Sequence, residues 1–305
     1  EIKRKVAKKL NVKIKEIKNI KISKRSIDAR DKDNIRFVYE VDVVANNENN
    51  ILRKVKTNDI FKTPNEEYKY VLKYDKNINP IIVGSGPAGL FCAYLLAEAG
   101  FKPLIIERGE KIEDRVKTVE DFWKTNNLNL NSNVQFGEGG AGTFSDGKLN
   151  TLVKDKSYRM KKVFEIFASC GAPREIMYEH NPHIGTDILK KVVANMRETI
   201  KRNGGTVRFG SQVTGFKTEN NKITGVIINE SEIIATEHVV LAIGHSARDT
   251  FEYLLSQNIS MEAKSFAVGM RVEHPQQMIN EAMYGEKHAA ELPAAPYKLT
   301  AKTSY

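Results

Sequence analysis

The spacing of apolar residues changes along this chain, and the change divides it. In residues 1–10, Ile2, Val6 and Leu10 fall at i, i+4 and i+8, one stripe of a helix. Residues 35–44 (IRFVYEVDVV) alternate instead. Ile35, Phe37, Tyr39, Val41 and Val43 then share one face of a strand expected to bury that side. Residues 17–23 are its expected partner. A short strand at 67–73 would close a small α+β unit before the linker DKNINP.

From Pro80 the pattern becomes strand and helix in turn. Residues 80–83 form an apolar strand, 87–99 a helix with Leu90, Ala93, Tyr94 and Ala97 at helical spacing, and 103–106 a second strand. Gly100 sits where a helix C-terminus wants it. A strand–helix–strand unit of this kind implies parallel pairing. Helices are expected at 113–124 and 157–169, with polar, Gly-rich loop at 126–150. A long helix covers 186–203, opened by Thr186 as N-cap and closed by Gly204. Short strands follow at 205–209, 211–217, 222–229 and 231–235, with a turn at Asn220–Asn221. Residues 238–243 are a buried strand ending at Gly244, 247–257 a helix, 265–272 a strand and 275–284 a helix begun by Pro275.

Charge follows the same division. Residues 1–79 hold 21 Lys and Arg against 12 Asp and Glu, and residues 80–305 hold 27 against 26. A boundary at Asn79–Pro80 is therefore expected, with a basic α+β domain at 1–79 and a larger unit at 80–305, in which a substrate domain begins near residue 260. The lysines of the first part are spread out with little aromatic interleaving, so a solvated face is preferred to a nucleic-acid surface. The two cysteines, Cys92 and Cys170, cannot build a disulfide framework, and a reducing cytoplasm is the simplest compartment. No run of about 18 apolar residues suggests a membrane span. No zinc-like spacing and no C-x-x-C occurs.

Residues 81–90 read IIVGSGPAGL. A lone G-x-G-x-x-G is weak, but here it follows a strand and opens a helix. Gly84 permits the tight turn, Gly86 lets backbone approach a pyrophosphate, and Gly89 lets the helix pack on the strand. Ser85, Pro87 and Ala88 complete the grip, and the pyrophosphate would sit on the helix N-terminus. Glu107 ends the next strand, where a carboxylate accepts hydrogen bonds from ribose hydroxyls. NAD and FAD use the same grip, so an NAD-only dehydrogenase is one reading. The stretch GEGGAGTFSDGK at 137–148 packs five glycines into 12 residues, backbone bare enough to form an anion-binding nest.

GSGPAGL, then ERG at 107–109, the strand cluster at 205–235 and VVLAIG at 239–244 resemble the FAD domain of the glutathione-reductase-like flavoproteins. Longer stretches sharpen the likeness: NVQFGEGGAGTFSDGKLNT at 133–151, PHIGTD at 182–187, LAIGHSARDTFE at 241–252, FAVGMRVEHPQ at 266–276 and SIDARDKDNIRFVYEVDV at 26–43. They resemble the bacterial family of uncharacterised FAD-dependent oxidoreductases described as NAD(FAD)-utilising dehydrogenases.

That resemblance implies a Rossmann-like α/β FAD-binding domain with a β-meander crossover. It implies hydride transfer through flavin N5 with an unidentified small-molecule substrate, and NAD(P)H is a candidate electron donor although no second G-x-G-x-x-G follows. It places Gly139, Gly140, Gly142, Thr143 and Ser145 along the FAD, Val213 at the adenine, and Arg108 and Gly244 near the cofactor. Lys148 is a candidate to stabilise negative charge on a reduced flavin, His183 and His245 are candidates for acid–base work, each histidine equally readable as structural, and Asp146 is read as a turn cap. FAD domains of this type end with a further strand and helix that KLTAKTSY does not supply, so the resemblance implies a further C-terminal portion. The alternative function is a nucleic-acid-directed or non-catalytic flavoprotein that uses the basic domain.

Overall fold

The computed structural model of the chain describes residues 1–55, 57–64, 67–69, 78–145, 147–149, 151, 153–266, 268–270 and 272–297. Its elements run α1 (Ile2–Leu10), β1 (Ile17–Asp28), β2 (Arg36–Ala45), α2 (Glu48–Lys54), β3 (Ile81–Val83), α3 (Pro87–Glu98), β4 (Leu104–Ile106), α4 (Ile112–Thr125), α5 (Arg159–Ser169), α6 (Thr186–Arg202), β5 (Thr206–Arg208), β6 (Val213–Glu219), β7 (Lys222–Ile228), β8 (Glu232–Ala235), β9 (Val239–Leu241), α7 (Arg248–Ser256) and α8 (Gln276–Tyr284).

The central sheet is parallel, in the order β5-β4-β3-β9. Its strands are only three residues long, and their alternation sorts the two faces. Ile82 and Ile105 point to one side, where they are buried with Leu90, Ala93 and Ala97 of α3 and Val192, Met196 and Ile200 of α6. Ile81, Val83 and Ile106 point to the other side, where they meet Val213, Val226 and Ile228 of the antiparallel meander β6-β7-β8. This is the expected Rossmann-like α/β arrangement: a sheet covered by helices on one face and by a meander inserted between β5 and β9 on the other.

After α1, residues 17–45 form a two-stranded antiparallel ribbon, β1 against β2. Its expected buried face is only partly covered. Val41 and Val43 are half-buried, but Phe37 is 45% and Tyr39 38% exposed. The far end of the ribbon meets the C-terminal part of the chain, where Ile27, Ala29 and Ile35 pack on Ile279, Tyr284 and Ala295. At its middle, the Arg25 N–H donates to the Tyr178 carbonyl and the His180 N–H donates to the Arg25 carbonyl (2.6 and 3.0 Å), and Arg25 is ion-paired with Glu179.

Several expected elements differ. Helix α6 takes Gly185 as its N-cap, with Thr186 at the first helical position, and no side chain caps it. Helix α2 and the single turn at Arg174–Met177 follow no long apolar periodicity. Part of the expected strand at 67–73 lies outside the described residues, and 67–69 are not strand. The segment 265–272 has the apolar alternation of a strand, yet its described residues form none. Phe266, Val268 and Met270 are 84%, 85% and 94% exposed. A strand exists only when a neighbour takes its hydrogen bonds, and none of the described residues does so here.

Two substitutions separate the packed region from the unpacked one. Ile105→Ala, at a fully buried position, is expected to lower the unfolding free energy by about 2–5 kcal/mol. Phe266→Ser should stay within about 0.5 kcal/mol of the parent. Urea denaturation of both variants checks the contrast, and a large loss for Phe266→Ser would mean that 265–272 is packed in solution.

Candidate functional site

The glycines of the dinucleotide turn, Glu107 and the start of the Gly-rich loop meet at the C-terminal edge of the parallel sheet. Each strand there ends in a turn that needs special backbone. After β3, Gly84 has φ +101°, and its N–H donates to the Ile106 carbonyl at 2.8 Å. A Cβ on Gly84 would lie 2.5 Å from the Ala242 carbonyl oxygen, just past β9. A Cβ on Gly89 would collide with the Gly84 carbonyl, so the third glycine sets how closely α3 approaches the turn. Gly86 differs: a Cβ there would find only the Gly140 Cα, at 3.9 Å. Its side is open, as an approaching ligand requires. Gly86 is the N-cap of α3 and Pro87 its first residue, and no side chain caps the helix. The first helical bond runs from the Leu90 N–H to the Gly86 carbonyl, which leaves the Ala88 and Gly89 N–H groups without a partner within the helix.

Glu107, at the end of β4, is 5% exposed and saturated. One carboxylate oxygen accepts from the Ser85 N–H (2.7 Å) and Ser85 Oγ (2.8 Å). The other accepts from the N–H groups of Gly109 (2.9 Å) and Gly137 (3.1 Å). A carboxylate offers about four lone-pair positions, so a ribose hydroxyl would have to replace one of these donors. Arg108 stacks on Phe136 (4.5 Å to the ring centroid) and donates to both oxygens of Asp249 at 2.9 and 2.7 Å. Gln212 donates to the same carboxylate at 2.7 Å. The group ties the end of β4 to the start of β6 and to α7.

The Gly-rich loop crosses onto the dinucleotide turn. Gly140 has φ +65°, and a Cβ on it would lie 3.0 Å from Pro87 Cδ and 3.2 Å from the Gly86 Cα. The Gly139 N–H donates to the Ser85 carbonyl at 2.9 Å. Residues Ala141–Phe144 make a turn of 3-10 helix. Gly142 and Ser145 are exposed, and Ser145 Oγ donates to the Gly142 carbonyl. Thr143 does not share that exposure. It is 1% exposed, its hydroxyl lies beside Gly139, and it has no hydrogen-bond partner among the described residues. Asp146 lies outside the described residues.

Lys148 and His183 face each other in a short antiparallel ribbon, closed by Leu149 N–H to the Pro182 carbonyl (3.0 Å) and Ile184 N–H to the Gly147 carbonyl (2.9 Å). Both are exposed, at the foot of α6. His245 is exposed in the turn after β9, next to Gly244 with φ +72°. Val213 opens β6, 6% exposed and paired with Ile228. Among the described residues, no group of three or more His, Cys, Asp or Glu could hold a metal ion, and no helix is long and apolar enough to cross a membrane.

Beneath the loop lies a charge network that the sequence reading missed. Arg115 of α4 is fully buried, and burial pushes its pKa down to about 10, so it remains protonated at neutral pH. Glu138 is also fully buried. One of its oxygens accepts from the Ile112 N–H (2.7 Å) and from Arg197 (2.5 Å); the other has no partner. Burial pushes the Glu138 carboxyl up to about 7, against the pull of these two donors. Burial also works against the charge on Arg197, but its hydrogen bonds to Glu113 (2.6 and 3.2 Å) and the nearby Glu138 hold its pKa above the ordinary value. One signal for Arg115 was legible: it sits between Ile112 and Val119 on the buried stripe of α4, where a charge is out of place unless held.

The raised pKa of Glu138 has a sign. Its folded-state value lies above the ordinary one near 4.5, so the folded protein binds the proton more tightly than the unfolded chain. Its stabilising contribution is complete below pH 4.5 and is lost as pH rises towards 7. Glu138→Gln lacks this titration. The stability difference between Gln and Glu forms should therefore move in favour of Gln from pH 5 to pH 8 in denaturant titrations. A constant difference would mean that Glu138 ionises like an ordinary glutamate.

Three family models match the chain. Residues 82–141 match the NAD(P)-binding Rossmann-like domain, residues 265–305 the C-terminal-domain-like segment of FAD-dependent proteins, and residues 1–44 a domain of unknown function. An uncharacterized protein of Clostridium beijerinckii is 46% identical over 302 residues, which is 98% of this chain and 56% of that protein. The chain thus spans about half the length of the relative it matches. Among solved structures, Thermovibrio ammonificans THI4 is 18% identical, with 60% of this chain and 64% of that one covered at a TM-score of 0.40. Glycine oxidase from Bacillus cereus is also 18% identical, with 60% and 59% covered at 0.33. These scores are too low for any comparison of sites. The chain has a Rossmann-like α/β unit, and its residues 265–305 are similar to the C-terminal domain of FAD-dependent proteins.

Proposed function

We propose that this chain forms the cofactor-binding part of an FAD-dependent oxidoreductase acting on a small molecule. One observation carries the reading. At the C-terminal edge of the parallel sheet, the Gly84–Gly89 turn and the Gly-rich loop meet at Gly86, Pro87 and Gly140, on the side where Gly86 leaves open space. Dinucleotides bind in that position in open α/β sheets. The family model at 265–305 supports the choice of FAD, and the one at 82–141 supports a dinucleotide without choosing between FAD and NAD(P).

The residues fit such a group. The uncapped N-terminus of α3 offers the Ala88 and Gly89 N–H groups and its dipole to a pyrophosphate. The absence of side chains at Gly84, Gly86 and Gly140 lets three backbone segments come together there. Glu107 would exchange one of its four donors for a ribose hydroxyl, and Arg108, Gln212 and Val213 would lie on the adenosine side. The flavin, when bound, supplies the two-electron redox chemistry, and the protein orients it. Lys148 and His183, which face each other across the short ribbon beyond the Gly-rich loop, are the candidates to hold or pass a proton, and His245 is a third. NAD(P)H is the proposed electron donor.

Two features bear on the wider setting. In the basic N-terminal part, Lys9 pairs with Asp59, Lys24 with Glu40, Arg25 with Glu179 and Arg30 with Asp28. Local neutralisation of this kind favours a solvated face over docking to nucleic acid. Cys92 and Cys170 are free, in keeping with a reducing cytoplasm.

The visible absorption spectrum of the purified chain, taken anaerobically before and after NADH or NADPH, tests the proposal. Flavin bands are expected in the isolated protein or after incubation with FAD, and they should bleach on adding the nicotinamide. A protein that stays colourless and takes up no added FAD would overturn the reading.

A further inference from the structure

Arg115 is a buried cation whose hydrogen bonds all go to backbone. Its Nε donates to the Asn133 carbonyl (3.0 Å) and its Nη2 to the Val134 carbonyl (3.1 Å), while the two protons of Nη1 are shared among the carbonyls of Gly137 (3.3 Å), Glu138 (2.5 Å) and Gly140 (3.0 Å), five contacts in all. Its charged neighbours Glu107 and Glu138 act on it through the field only. A buried arginine more often meets a carboxylate directly.

The geometry says what the five bonds accomplish. In a trans peptide the C=O and the following N–H point in opposite directions. By drawing in the carbonyls of Gly137, Glu138 and Gly140, Arg115 turns the N–H groups of Glu138, Gly139 and Ala141 outward. The first is taken by the Glu110 carbonyl (3.1 Å) and the second by the Ser85 carbonyl (2.9 Å), which fastens the loop to the dinucleotide turn. The third has no acceptor among the described residues, and Ala141 is exposed. It follows Gly140, which touches Gly86 and Pro87 at the start of α3. The Ala141 N–H thus stands one residue from the contact between the loop and the start of α3, with a resident positive charge behind the loop.

We infer that Arg115 is a positioning residue for the diphosphate of a bound dinucleotide. It orients the loop so that the Ala141 N–H joins those of Ala88 and Gly89, and it lends them a buried positive charge. This rests on the proposed function, since it presumes that the turn holds a dinucleotide. The ligand chemistry recognised is a pyrophosphate bridge, not the adenine or the flavin ring.

Binding of FAD, ADP and adenosine to the apo chain separates these contributions, because ADP and adenosine differ only in the phosphates. Arg115→Lys keeps the charge but not the five-bond fork; Arg115→Met loses both. Against an unchanged far-ultraviolet circular dichroism spectrum, ADP and FAD affinity should fall about tenfold in the first and about a hundredfold in the second. Adenosine affinity should stay within about twofold. Gly140→Ala provides a variant that leaves Arg115 in place. Its new Cβ presses the loop away from Pro87, and it should show the same selective loss of ADP. Wild-type ADP affinity in the Arg115 variants would overturn the inference, as would equal weakening of ADP and adenosine, which marks a purely structural role. If the Arg115 variants do not fold, a wild-type ratio of ADP to adenosine affinity in Gly140→Ala would overturn it. Failure of the parent chain to bind FAD or ADP would instead remove the proposed function, and this inference with it.

Discussion

Everything at the candidate site hangs on the four donors that converge on Glu107. The Ser85 N–H and hydroxyl come from the dinucleotide turn, the Gly109 N–H from the chain after β4, and the Gly137 N–H from the Gly-rich loop. One buried carboxylate therefore sets the spacing of three backbone segments that are distant in sequence. Burying a charge is tolerable only when its hydrogen-bonding capacity is filled. Here the filling groups are those that must be held in place, so the requirement of the charge and the geometry of the site coincide.

The glycines follow from that constraint. Gly109 and Gly137 approach so closely that a Cβ on Gly109 would lie 2.6 Å from the Gly137 Cα. A Cβ on Gly137 would strike the Arg115 side chain. The composition of the loop is thus set as much by the anion of Glu107 on one side and the cation of Arg115 on the other as by the need to approach a ligand. Gly139 and Gly140 both have positive φ, the backbone state that lets successive carbonyls turn towards one guanidinium.

Much of this was legible from the sequence, for a physical reason. The dinucleotide turn is encoded locally: three apolar residues, three glycines at fixed offsets and a helix of small residues are contiguous, and each glycine has a steric task that nothing else performs. The meander was legible because Asn220–Asn221, both at positive φ, announce the turn between β6 and β7. What escaped was non-local. Glu138 reads as a polar residue in a polar loop until it is seen to meet Ile112, 26 positions away, and Arg197, 59 positions away. The alternation at 265–272 misled in the opposite way. Phe266, Val268, Met270 and Val272 have the period of a strand, but period gives a preference, and pairing needs a partner that no periodicity supplies.

The network also explains why the buried charges alternate in sign from the sheet edge outward. Glu107 at the turn is followed by Arg115, then Glu138, then Arg197, then the half-exposed Glu113. Had Arg115 met Glu107 or Glu138 directly, its field would be spent on that partner. Because its bonds end on peptide carbonyls, it is stabilised without being cancelled. Two of these five groups are cations and three are carboxyls, so protonation of Glu138, whose pKa burial pushes up to about 7, removes the excess negative charge and leaves the network balanced. Backbone N–H groups above a charge network without excess carboxylate suit an anionic ligand better than the same groups above unpaired carboxylates would. A carboxylate placed beside Arg115 would offset that cation, whereas its present partners, the backbone carbonyls and the Phe144 ring 4.8 Å from the guanidinium, stabilise it without doing so.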